Sequence, residues 1–193
     1  MIGGRGAGRY ISAMVMFQAS STADQVAGES VRAALDALGI WRSKGVRIFA
    51  DHGLPEPEAG AWYPLQHYLD ALRHIYEKIG PATVVDIGKR LVTNNKFPPT
   101  ITTLEQALST LDEAYRARHR GADLGFFRFE QLEERQLRMT IRNPYPCELD
   151  RGVVQGLATR FRPPGAVGLR VTHPDEQHCR KHGAEECVLD VTW

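Results

Sequence analysis

The feature that most constrains this chain is a change of hydrophobic period at Gly121. Before it, apolar residues recur at helical spacing. After it, they alternate as they do along strands. Helices that come first and strands that come afterwards predict an α+β fold, with N-terminal helices packed on a four-stranded, mainly antiparallel sheet.

Upstream of Gly121, Val26, Val31, Ala34, Leu35 and Leu38 predict a helix from about Ser20 that stops near Gly39. The stretch 45–54, GVRIFADHGL, reads as a short strand followed by a Pro/Gly loop through Gly60. The clearest helix begins at Ala61, with Pro64 in its first turn and Leu65, Tyr68, Leu69, Leu72, Ile75, Tyr76 and Ile79 on one face. Gly80-Pro81 breaks it, and a further helix turns Val84, Val85, Gly88, Leu91 and Val92 inward. Thr103 and Gln106 form a capping box for one helix that reaches Gly121, where the His119-Arg120 pair complements the helix dipole.

Downstream, LGFFRFEQL and RQLRMTIRN form a hairpin around Glu133-Glu134. A Pro-rich turn leads into a helix near Cys147, and AVGLRVTH and CVLDVTW complete a β-β-α-β-β order. Strand alternation puts Phe127 and Phe129 on the helix-covered face with Leu137, Met139 and Ile141, and Phe126 on the other. Phe127, Phe129, Leu137, Met139, Trp62 and Tyr68 are the candidate lining of an apolar ligand pocket. A sensor would leave a cavity of roughly 300 Å³ or more there.

Residues 1–20 are expected to be a disordered tail, because Gly3, Gly4, Gly6 and Gly8 lack both the spacing and the preceding strand of a phosphate loop. Residues 21–193 are expected to form a single domain, helical over 21–121 and β-β-α-β-β over 122–193. The net charge of +1 supplies no pull toward nucleic acid or an anionic membrane. No apolar run approaches the roughly 20 residues that span a bilayer. Three cysteines are too few for a secreted disulfide scaffold, so a reducing cytoplasm is the expected setting. Asp51-His52-Gly53 comes without a serine nucleophile motif, and no dinucleotide or Walker loop appears, so a non-enzymatic role is favoured.

Two of the three cysteines enclose CRKHGAEEC, residues 179–187, around Gly183, and Cys147 opens the preceding helix. Three thiolates meeting at one place would suit zinc, which takes sulfur ligands in tetrahedral geometry. The spacing is not a CxxC knuckle, and three unrelated buried cysteines would read the same way.

The order Cys147, Gly152, Gly156, a strand, then Cys179, Gly183, Cys187 and a final strand resembles the vinyl-4-reductase domain family. That family includes the aromatic-sensing N-terminal domains of XylR/DmpR-type regulators, and its fold is related to haem–NO-associated and trafficking-particle domains. The resemblance implies a cytoplasmic sensory domain that binds a hydrophobic or aromatic small molecule, with output through a separate protein or a homodimer. It implies zinc held by Cys147, Cys179, Cys187 and an acidic residue just before Cys179, which Glu176 matches better than His173 does. His173 is nonetheless favoured for that fourth place, with Glu176 and Asp175 as alternatives. Two other readings stay open: a tetrapyrrole-related reductase, and a thiol redox protein built on Cys179 and Cys187.

Overall fold

A computed structural model describes residues 16–93 and 96–193. The helical half contains α1 (Gly28–Ala37), α2 (Arg42–Asp51), α3 (Leu65–Lys78), α4 (Pro81–Thr93), α5 (Leu104–Ser109) and α6 (Leu111–Ala117). Three short strands, β1 (Gln25–Ala27), β2 (Trp62–Pro64) and β3 (His119–Arg120), tie it together as an antiparallel sheet in the order β2-β1-β3. The second half contains β4 (Phe126–Glu133), β5 (Gln136–Arg142), α7 (Cys147–Arg160), β6 (Arg170–Thr172) and β7 (Cys187–Thr192). Its sheet runs β4-β5-β7-β6 with every neighbouring pair antiparallel. The α+β class and the β-β-α-β-β order are those expected.

The hairpin register pairs Phe127 with Ile141, Phe129 with Met139 and Gln131 with Leu137. These apolar side chains pack with Leu104 and Leu108 of α5 and with Val154 and Leu157 of α7. The N-terminal end of β4 lies against α6. Asp112 Oδ1 accepts the Phe127 N–H at 2.9 Å, and Arg116 donates to the Gly125 carbonyl at 3.0 Å. Near its other end β4 carries a bulge between Gln131 and Glu133.

The closest helix crossing joins α4 and α7. A Cβ on Gly152 would lie 2.1 Å from the Val85 carbonyl oxygen, and one on Gly88 would lie 2.2 Å from the Leu149 carbonyl oxygen. Only glycine lets the two backbones approach so closely. Gly152 and Gly156, two of the glycines that carry the sequence resemblance, therefore have a packing role that holds α7 against α4 of the helical half.

Several expectations are corrected. Residues 45–54 are mainly helix, not strand, because Gly45, Ile48 and Phe49 recur at helical spacing and face the core. Gly45 also makes room for Leu38, whose Cδ1 would sit 2.1 Å from an added Cβ. The expected first and second helices each begin as a strand, at Gln25–Ala27 and Trp62–Pro64. The capping box forms as read, with Gln106 N–H donating to Thr103 Oγ1 at 3.3 Å. The helix behind it breaks at Thr110, whose hydroxyl donates back to the Ala107 carbonyl at 3.0 Å, a contact that bends helices. His119-Arg120 is consequently a strand and not a helix end. The third large-sheet strand is only Arg170–Thr172.

Of the expected tail, residues 1–15 lie outside the described residues. Residues 16–20 are docked: Phe17 is buried and donates its N–H to the Pro144 carbonyl at 2.7 Å, and its own carbonyl accepts from Gln66 and Arg73.

Candidate metal centre

Three local features converge on one buried point. Pro146 sets the extended entry that makes Cys147 the first residue of α7. Cys179 is extended and is followed by a single 3-10 turn, Arg180–His182, which Gly183 ends in the left-handed conformation at φ 89°. That reversal returns the chain to Cys187, the first residue of β7, which is paired with Ile141 just before the Pro-rich turn. The sulfurs of Cys147 and Cys179 are 3.1 Å apart, those of Cys147 and Cys187 2.8 Å, and those of Cys179 and Cys187 3.1 Å. All three residues are buried, and Met16 packs against them.

These separations are too long for any disulfide, whose sulfurs lie about 2.05 Å apart. Tetrahedral zinc with bonds of about 2.3 Å places its sulfurs about 3.8 Å apart, so an ion would spread the triangle by under about 1 Å. Contacts with Cys179 and then Cys187 hold the Cys147 thiol far above its usual range, and hydrogen bonds from Cys147 and Cys187 pull Cys179 down to about 3.

Arg180 follows Cys179 and turns inward, with a fully buried side chain. Its backbone N–H and its Nε–H donate to Cys187 Sγ at 3.3 and 3.4 Å. One terminal nitrogen donates to the carbonyl and side-chain oxygens of Asn143, and the other to Asp150. Asn143 also donates to Asp150 at 3.1 Å. Burial pushes Asp150 up to about 6 against the pull of Arg180, which leaves it a carboxylate at neutral pH. Glu148, buried beside Cys147, bridges Tyr76 of α3 at 3.2 Å and Lys181 of the cysteine loop at 3.3 Å.

A second polar cluster adjoins the first through Tyr145, whose N–H donates to Asn143 Oδ1 at 2.9 Å. The Tyr145 hydroxyl meets His119 Nε2 at 2.6 Å, and His119 Nδ1 meets the Tyr115 carbonyl at 2.7 Å. A carbonyl can only accept, so Nδ1 carries the proton and Tyr145 donates to Nε2. Burial pulls His119 down to about 4, so the ring is neutral.

Cys147, Cys179 and Cys187 are the residues brought together; among the described residues, theirs is the one group of three or more metal-ligating side chains whose ligand atoms lie within 4.8 Å of one another. His173 lies just beyond β6, half-buried, with Nδ1 out of solvent and without a hydrogen-bond partner. Asp175 and Glu176 are exposed, and Asp175 accepts from the N–H groups of Gln177 and His178. The pocket candidates are divided between two cores. Phe129, Leu137 and Met139 belong to the sheet core, Tyr68 to the helical core beside Tyr145, and Phe127 touches both. Trp62 stands apart, with the Arg120 guanidinium 3.8 Å from its ring centroid.

Sequence reasoning missed Arg180, Asp150, Asn143 and Tyr145. One signal was present: Asp150 follows Cys147 by three residues, which puts both on one side of a helix.

The sequence matches no family model and no curated protein. Its shape matches solved H-NOX proteins. An Fe(II)NO-state H-NOX from S. oneidensis aligns with TM-score 0.63 at 13% identity over 86% of this chain and 97% of that one. A T. tengcongensis H-NOX variant aligns with TM-score 0.65 at 13% identity over 86% and 96%, and a K. algicida H-NOX with TM-score 0.62 at 12% identity over 86% and 95%. These neighbours lie on the haem–NO-associated side of the expected relationship, and no family model supports the vinyl-4-reductase assignment.

Another H-NOX neighbour was solved to probe heme distortion, which makes haem the group to test. An iron-bound haem takes an axial side chain such as histidine. His119 is the buried histidine among the described residues, and both its nitrogens are engaged. His52 and His74 face one another, with ring nitrogens 3.3 Å apart. The three buried sulfurs face one another also. His119 and the three sulfurs are engaged with protein partners and so do not offer an axial ligand, and at 12 to 14% identity what this chain shares with the H-NOX proteins is the fold.

Proposed function

We propose that this chain is a small-molecule-sensing domain stapled by a structural zinc ion. The observation that carries the metal reading is the convergence of three buried sulfurs from α7, the cysteine loop and β7. Zinc bound there would fasten the last strand to the helix that packs against the helical half. His173, whose Nδ1 is buried without a hydrogen-bond partner, is the proposed fourth ligand, with Glu176 and Asp175 as its competitors. The sensory reading draws on the H-NOX-like fold and on the vinyl-4-reductase-like cysteine and glycine pattern. The ligand would be a hydrophobic or aromatic small molecule held at the sheet core by Phe127, Phe129, Leu137 and Met139; Tyr68 belongs to the other core and Trp62 stands apart from both. Such a ligand would favour one arrangement of the two halves and so alter contacts with a separate output protein or a second copy in the cytoplasm.

Elemental analysis with native mass spectrometry tests the metal: one zinc per chain is expected, and a metal-free protein with three reactive thiols would reject it. A thermal-shift screen of aromatic compounds tests the sensor. A ligand at 100 times its Kd should add roughly 2.7 kcal/mol of stability. A second reading, thiol redox chemistry, draws on the same short sulfur separations. It requires that Cys179 and Cys187 lose two electrons and two protons to an oxidant and regain them without loss of fold. Thiol counting before and after mild oxidation separates it from the metal reading.

A further inference from the structure

We infer that Arg180 is the internal counter-ion of the three-cysteine centre and that its position sets how strongly, and with what electronic character, the cysteines hold a metal. The inference rests on the metal reading above.

Three thiolates around a divalent cation carry a net charge of −1. A charge removed from water is costly unless it is met by an opposite charge and by hydrogen bonds. Arg180 is the cation at hand, with its side chain fully buried and its Nε–H aimed at Cys187 Sγ. A neutral thiol is a weak acceptor and would leave that buried donor almost unsatisfied, whereas a thiolate is a strong one. The donor arrangement therefore suits anionic sulfur. The planar guanidinium reaches sulfur, Asp150 and Asn143 from a single centre, which a lysine ammonium at the end of a flexible stem cannot reproduce in full. Asp150 lies on the far side and draws on the same positive charge. Arg180 and Asp150 should thus act on the sulfurs with opposite sign. A merely structural pair would damage the site in the same direction when either partner is removed.

The test uses the full chain loaded with cobalt(II) at pH 8, read by its thiolate-to-cobalt charge-transfer band. A positive charge beside sulfur stabilises the electron that is transferred and raises the energy of the band. Arg180→Met should move the band to lower energy and weaken metal binding about 10- to 100-fold in competition with a chelator. Asp150→Asn should move the band to higher energy. Arg180→Lys should restore most of the wild-type position. An Arg180→Met protein with all three cysteines bound and an unmoved band overturns the inference. Should that variant not fold, an Asp150→Asn band that stays in place or moves to lower energy overturns it equally. A wild-type protein without any thiolate–cobalt band rejects the metal centre itself, an outcome distinct from failure of the counter-ion role.

Discussion

Two buried polar clusters meet at Asn143 and Tyr145, and they solve burial in opposite ways. On one side Arg180 and Asp150 keep full charges and face three cysteines. On the other, Tyr115, His119 and Tyr145 keep none: the imidazole is neutral, and a single tautomer satisfies both its nitrogens. A neutral cluster is the less costly arrangement inside a protein. Charge retained so close to a neutral alternative indicates a nearby demand for it, and the cysteine triad supplies that demand. The charged cluster should therefore respond to metal, and the neutral one should carry the loss of stability in acid, against which Asp150, held near 6, works in the opposite sense.

The largest effect is expected from Cys187→Ser. Loss of one thiolate should release the metal and cost roughly 5 kcal/mol or more, since binding free energy at such a site is folding free energy. Denaturant melts with and without a chelator check this. The wild type should fall toward the variant when metal is stripped, and the variant should be indifferent. Equal stability of all four samples would remove the contrast.

Acid should act on the other cluster. His119 is held near 4 against an ordinary value near 6.5, so the unfolded chain binds more protons between those values. The stability owed to the neutral ring is complete above about pH 6.5 and is lost as pH falls toward 4, by on the order of 3 kcal/mol. In His119→Phe this portion of the acid slope should vanish, even though Tyr145 then lacks its acceptor. Denaturant midpoints at pH 7, 5.5 and 4 give the answer; a variant with the wild-type slope would place the acid sensitivity elsewhere.

A smaller effect should touch both clusters. Gly152→Ala drives a methyl group into the Val85 carbonyl and pushes α7 away from α4, at a cost of about 2 kcal/mol. Because α7 carries Cys147 and Asp150, metal affinity should fall along with stability. A melt that shifts without any change in affinity would show that the helix crossing and the cysteine site are independent.

The parts legible in the sequence are those whose partners lie close by or whose period is long. The hairpin register, the Thr103–Gln106 capping box, the inward face of α4 and the β-β-α-β-β order are of this kind. The small sheet was not legible, because its strands of two or three residues pair Gln25 with Pro64 and Arg120, far apart in the chain and too short to show alternation. Arg180 was hidden because charges in a loop are ordinarily solvated, and only the folded reversal at Gly183 turns it inward. His119 was misread because a basic residue near a helix end suggests a cation, whereas burial removes its charge.

The way β4 is finished bears on self-association. It is a boundary strand of the large sheet and, at eight residues, long enough to recruit a strand from another molecule. Asp112 already occupies the Phe127 donor at one end, Arg116 takes the neighbouring Gly125 carbonyl, and the bulge distorts the ladder near the other. The opposite boundary strand, β6, offers only three residues. Neither border presents a long, regular row of free amides. Addition of a strand along β4 is therefore obstructed at both of its ends.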